Sequence, residues 1–120
     1  MPDEAPLEWM SAEEDESFLM TNLYPRRTGL PMTVWVGPRA GARHDVRIKV
    51  NTSPGERMDL STAAVVGVRP QAHLVHGELS RSDLDLVASW IRLNEEAILR
   101  HWTGEYDGID VAENIKRLPG

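Results

Sequence analysis

The sequence predicts an α+β fold: a small, mainly antiparallel sheet of three to four strands, one long helix packed across it, and a short C-terminal helix. Three observations carry this. Residues 43–50 alternate cleanly, with His44, Val46, Ile48 and Val50 on one face and Asp45, Arg47 and Lys49 on the other. Residues 63–68 (AAVVGV) are apolar without alternation, as in a strand covered on both faces. Residues 80–104 carry both a helix start and a helix stop.

The elements follow in order. Residues 1–17 hold seven acids (Asp3, Glu4, Glu8, Glu13, Glu14, Asp15, Glu16) and no base, with Pro2 and Pro6 among them. Like charges and prolines oppose regular structure, so 1–17 reads as a flexible acidic arm ahead of a single domain at 18–120. Leu7, Trp9 and Met10 give that arm an apolar anchor, which suits docking on its own domain or on a neighbour. Residues 18–23 (FLMTNL) are a short apolar stretch, and 24–31 (YPRRTGLP) form a connector marked by two prolines and a glycine. Residues 32–36 (MTVWV) are β-branched and aromatic, so they form a strand. Residues 37–41 (GPRAG) turn the chain into the strand at 43–50, making an antiparallel hairpin. Residues 51–56 turn again, 63–68 are a strand ended by Pro70, and 72–76 give a short edge strand.

Ser80 is the expected N-cap of the long helix. Asp83 stands at the third helical position, and Leu79 and Leu84 form a hydrophobic staple. The helix should reach Thr103, stop at Gly104 and span about 35 Å. Leu84, Val87, Ile91, Ile98 and Trp102 form one apolar stripe; Leu86, Trp90, Leu93 and Ala97 form a second beside it. The polar arc (Asp85, Ser89, Arg92, Glu96, Arg100) is narrow for a surface helix. The sheet covers one side. The C-terminal segment, the N-terminal arm or a second copy of the chain covers the other, and a two-fold homodimer burying Trp90 or Trp102 is expected on that basis. A final helix is expected over 108–118, with Ile109, Ala112, Ile115 and Leu118 at near-helical spacing.

The chain of 120 residues carries 13 bases and 19 acids, and its net charge of −6 belongs to the arm. Without the seven acids of the arm, 12 acids remain against 13 bases. Residues 26–49 hold six bases (Arg26, Arg27, Arg39, Arg43, Arg47, Lys49) against one acid, Asp45. Trp35 and Tyr24 lie among them, as a nucleic-acid surface requires, although a solvated hairpin face has the same composition. The absence of cysteine excludes disulfides, thiol catalysis and cysteine metal sites, and fits a cytoplasmic setting. No apolar run is long enough to span a bilayer and no signal peptide is recognisable, so no membrane association is expected.

No motif identifies a reaction. G-x-S-x-G, S-x-x-K and the glycine patterns of phosphate and dinucleotide loops are missing, so no catalytic residue and no cofactor are assigned. His73 and His76 are the only close histidine pair. In a regular strand they would face opposite ways, so they read as exposed loop histidines, with no metal site and no stoichiometric zinc expected. His44, Asp45 and Asn94 form a second candidate polar set. His44 reads as a rim histidine, and Asn94 as a buried amide bonded to a loop backbone.

The segments FLMTNL (18–23), TGLPMTVWV (28–36), RHDVR (43–47) and WIRLN (90–94) resemble a set of small bacterial proteins of unknown function. Gly77, Leu79, Trp90 and Trp102 resemble the helix entry and paired tryptophans of a compact family often encoded near toxin–antitoxin genes. That family has His-Phe-His-Val where this chain has Arg43-His44-Asp45-Val46, so the role of its paired histidines does not transfer. The resemblance implies no activity. The function expected is a non-enzymatic binding or regulatory module, its partner another protein or a nucleic acid met by the basic hairpin. The alternative is a small metal-dependent or acid–base enzyme built on His44, Asp45, His73 and His76.

Overall fold

The computed structural model describes residues 20–52 and 62–119. The acidic arm expected over 1–17 and most of the turn expected over 51–56 lie outside them. Five strands form a single antiparallel meander in the order β1-β2-β3-β4-β5: β1 Thr21–Leu23, β2 Val34–Val36, β3 Arg47–Val50, β4 Ala64–Gly67 and β5 His73–His76. A one-turn helix α1 (Pro25–Thr28) links β1 to β2. The long helix α2 (Arg81–Trp102) and the short helix α3 (Gly108–Asn114) follow the sheet. The fold class is α+β as expected, but the strands among the described residues number five. The extra one is β1, whose TNL sequence has neither alternation nor β-branched repetition to announce it.

Alternation decides which face of each strand meets α2. Val34, Val36, Ile48, Val50, Ala64 and Val66 pack with Val87, Trp90, Ile91 and Ile98 of the helix in one apolar cluster. β4 is buried throughout, and β5 is exposed throughout, as an interior and an edge strand should be. The strand expected at 43–50 begins only at Arg47. The residues before it leave the ladder for other partners: Asp45 pairs with Arg69, and the His44 ring meets that of Trp102 at 5.6 Å.

Helix α2 starts as its sequence requires, with the Asp83 N–H donating to Ser80 Oγ at 3.1 Å. Its end lies at Gly104, which takes a left-handed φ of +87°. The backbone leaves helical geometry at Asn94 (φ −118°, ψ 16°). Asn94 is buried, and its amide bonds to backbone as expected: Nδ2 donates to the Trp90 and Lys116 carbonyls, and Oδ1 accepts the Lys116 N–H at 2.7 Å. Ile115 takes extended backbone and the bonds fix Lys116, so α3 ends at Asn114 and not at 118. Leu118 N–H then donates to the Thr28 carbonyl, laying the C-terminal segment along α1. Asp107 and Asp110 cap α3 reciprocally. Val111 faces the core, while Ile109 is exposed.

Trp90 and Trp102 are both buried within one chain. The homodimer expected from the sequence was to cover one of them. What the helix leaves half-exposed is Leu86 (42%) and Leu93 (38%). No helix among the described residues is long and apolar enough to cross a membrane.

Candidate binding face

The sheet has a second face, turned away from the helices. Cross-strand partners in an antiparallel ladder point to the same side. Asn22 pairs with Trp35, Trp35 with Lys49, Lys49 with Val65, and Val65 with His76. One step along the strands, Arg47 pairs with Gly67 and Gly67 with His73. The two rows alternate with the core positions, and none of these residues belongs to the cluster packed on α2.

A register shift in β4–β5 brings the two histidines together. Val66 pairs with Leu74, but Val65 pairs with His76, so Val75 is an inserted residue. The bulge cancels the rule that strand residues three apart face opposite ways. His73 and His76 therefore lie on one face of a strand and not in a loop. The His73 ring lies over Gly67, where a Cβ would come within 2.4 Å of its Cε1. Its Nδ1–H donates to the Gln71 carbonyl at 2.7 Å. Among the described residues, no group of three His, Asp or Glu is arranged to hold a metal ion.

The face is enclosed at its centre. Trp35 is 1% exposed, Lys49 5% and Val65 8%. Trp35 Nε1 and Arg47 Nε are buried with no hydrogen-bond partner among the described residues. Such atoms carry a desolvation penalty of about 1–3 kcal/mol unless an acceptor reaches them.

The six bases singled out from the sequence do not form one patch. Arg26 and Arg27 sit in α1, at the end of the sheet where Leu23, Val34 and Val50 lie. Arg26 stacks on the Tyr24 ring at 5.0 Å. Arg39 and Arg43 are exposed in the connection 37–46, at the opposite end, where the Arg39 N–H donates to the Trp102 carbonyl. Only Arg47 and Lys49 lie within the face. His44, Asp45 and Asn94 also separate: His44 stacks on Trp102 on the helix side, Asn94 binds the C-terminal backbone, and Asp45 stands before Arg47.

Asp45 is held by a two-pronged ion pair with Arg69, through Nε and Nη2 at 2.7–3.1 Å. The Arg69 hydrogen bonds, then the Val46 N–H, lower its pKa from 3.8 to about 2. A carboxylate whose folded pKa is depressed contributes stability above its unfolded value and loses it as pH falls through the folded one. The stability difference between the native chain and Asp45→Asn should therefore be constant above about pH 4 and shrink towards pH 2. Melting curves of both proteins across that range check this; a difference that ignores pH would mean the pair contributes nothing through charge.

Sequence reasoning missed His101. It is buried, its Nδ1–H donates to the Tyr106 carbonyl at 2.8 Å, and its Nε2 meets Thr21 Oγ1 at 3.3 Å. It thereby ties the end of α2 to β1. Its place on the buried arc of the helix wheel, between Trp90 and Asn94, was the available signal.

Comparison with known proteins gives no match: no family model, no curated protein and no solved structure aligns significantly with the chain.

Proposed function

We propose that this chain is a non-enzymatic binding module that takes single-stranded nucleic acid on the sheet face turned away from α2. The observation that carries the reading is the end of that face where the exposed Arg39 and Arg43 of the connection 37–46 adjoin the row of Arg47, Gly67 and the exposed His73. Single strands are held by an aromatic plane for a base and cations for the phosphates. The imidazoles of His73 and His76 extend the face towards the sheet edge, and the exposed Arg39 and Arg43 extend it at one end. His44 and the His73–His76 pair lie on opposite sides of the sheet, which favours the binding module over a small enzyme built on them.

Fluorescence anisotropy with a labelled oligothymidylate tests the reading. Affinity should fall as salt rises, and Arg39→Gln and Arg43→Gln should each reduce the slope of log affinity against log salt by about 0.7. Circular dichroism establishes that the variants fold. Salt-independent binding, or slopes unchanged in both folded variants, would remove nucleic acid as the ligand. An acidic protein would then be the partner to test.

A further inference from the structure

We propose that α1 and the C-terminal segment laid along it form a second contact for the phosphates of the same nucleic acid, built on Arg26, Arg27, Lys116 and Arg117. The choice of ligand rests on the reading above; the site does not. Two distant parts of the chain make it. The Leu118 N–H donates to the Thr28 carbonyl at 2.8 Å, and Arg117 Nη1 donates to the Arg26 carbonyl at 3.0 Å across a separation of 91 residues. Asn94 fixes Lys116 through both of its backbone groups. Gly29 permits the approach: a Cβ there would stand 2.8 Å from the Leu118 carbonyl oxygen and 3.1 Å from Arg117 Cγ. The dipeptides Arg26-Arg27 and Lys116-Arg117 are thereby set side by side.

Charge and exposure give the patch its chemistry. All four bases are exposed. Other arginines held on the surface face acids: Arg69 holds Asp45, Arg81 holds Asp85, and Arg100 holds Glu96 and Glu105. None of these four bases forms an ion pair among the described residues. Arg26 is ordered instead by the Tyr24 ring, which steadies the guanidinium without neutralising it. Like charges gathered by backbone bonds repel one another, and a polyanion relieves that repulsion while shedding its own counterions. Arg117 spends an N–H on the Arg26 carbonyl, and the fork of its remaining donors suits phosphate oxygens. Reach agrees with the reading above. Between this end of the sheet and the Arg39–Arg43 end, β3 runs for four residues, about 13 Å. A single strand advances about 3.4 Å per nucleotide when stacked, so about four nucleotides bridge the two ends.

The labelled oligothymidylate is titrated at several salt concentrations into the native chain, Arg26→Gln/Arg117→Gln, Arg39→Gln/Arg43→Gln and the charge control Arg92→Gln, an exposed base on α2. Circular dichroism checks that each folds. Both double variants should lower the salt slope by about 1.4, about 0.7 for each cation removed, and Arg92→Gln should leave it unchanged. Arg26→Lys/Arg117→Lys should keep the native slope, which separates lost charge from lost structure. A native slope in Arg26→Gln/Arg117→Gln beside a lowered one in Arg39→Gln/Arg43→Gln overturns the second contact and keeps the reading above. The reverse result keeps the second contact and removes the Arg39–Arg43 end from that reading. A fall of about 0.7 in Arg92→Gln would make the effect one of overall charge and overturn the contact. Vesicles of anionic phospholipid form the last arm. Capture by vesicles that Arg26→Gln/Arg117→Gln abolishes, with its oligothymidylate slope still native, would assign the patch to a membrane surface and overturn nucleic acid as its ligand.

Discussion

Trp90→Ala is expected to destabilise the chain by about 3–5 kcal/mol, and Trp90→Phe by less than about 2 kcal/mol. Trp90 is fully enclosed between α2 and the sheet, among Val34, Ile48, Val66 and Ile98. Alanine leaves a cavity that five strands and a helix close only by moving. Phenylalanine keeps most of the ring and deletes Nε1, which is buried without an acceptor among the described residues. Removing an unsatisfied donor returns part of the desolvation cost, so the loss of volume and the loss of the orphan oppose each other. Urea denaturation of the three proteins measures the difference. Equal destabilisation by both substitutions would show that the indole N–H contributes as much as the ring.

Asn94→Ala should cost about 2–3 kcal/mol, more than its small side chain would through packing alone. The amide serves three backbone groups, and two of them belong to Lys116, far along the chain. Without it the Lys116 N–H and carbonyl lose their partner, and the C-terminal segment loses its clamp. Asn94→Asp should be at least as harmful: a carboxylate keeps the acceptor but turns a negative oxygen towards the Trp90 and Lys116 carbonyls. Hydrogen exchange adds a local readout. Amides of Lys116 and Leu118 are bonded in the native chain and should lose protection beyond the global change in both variants, while those of β3 and β4 quicken only by the loss of global stability. A change under about 0.5 kcal/mol with Lys116 still protected would remove Asn94 from this role.

The sequence made some of this legible and hid the rest for physical reasons. The helix start was plain because Ser80, Asp83 and Leu84 act through local geometry alone. The buried Asn94 was legible because it interrupts an apolar arc, where an amide must find partners. β1 was hidden because three residues cannot show a period, and its pairing is decided by β2 and by His101 across the molecule. The pairing of His73 with His76 on one face was hidden because a bulge depends on register, and register depends on the neighbouring strand. The basic cluster misled for a related reason. Closeness in sequence put Arg26 and Arg39 together, but a strand separates the two ends of a sheet.

The strand order has a kinetic meaning. Every strand pairs with its successor, so the sheet can grow by closing one local loop after another, and no crossover must wait for a distant segment. β1 is the exception. Beyond β2, it is tied down by His101 at a separation of 80 residues and by Gly108, whose Cα approaches Thr21 too closely to leave room for a side chain. That loop is the most costly to close in entropy. Folding should therefore begin in β3 and β4, with β1 joining after the rate-limiting barrier. Val66→Ala would then slow folding, and Leu23→Ala would mainly hasten unfolding.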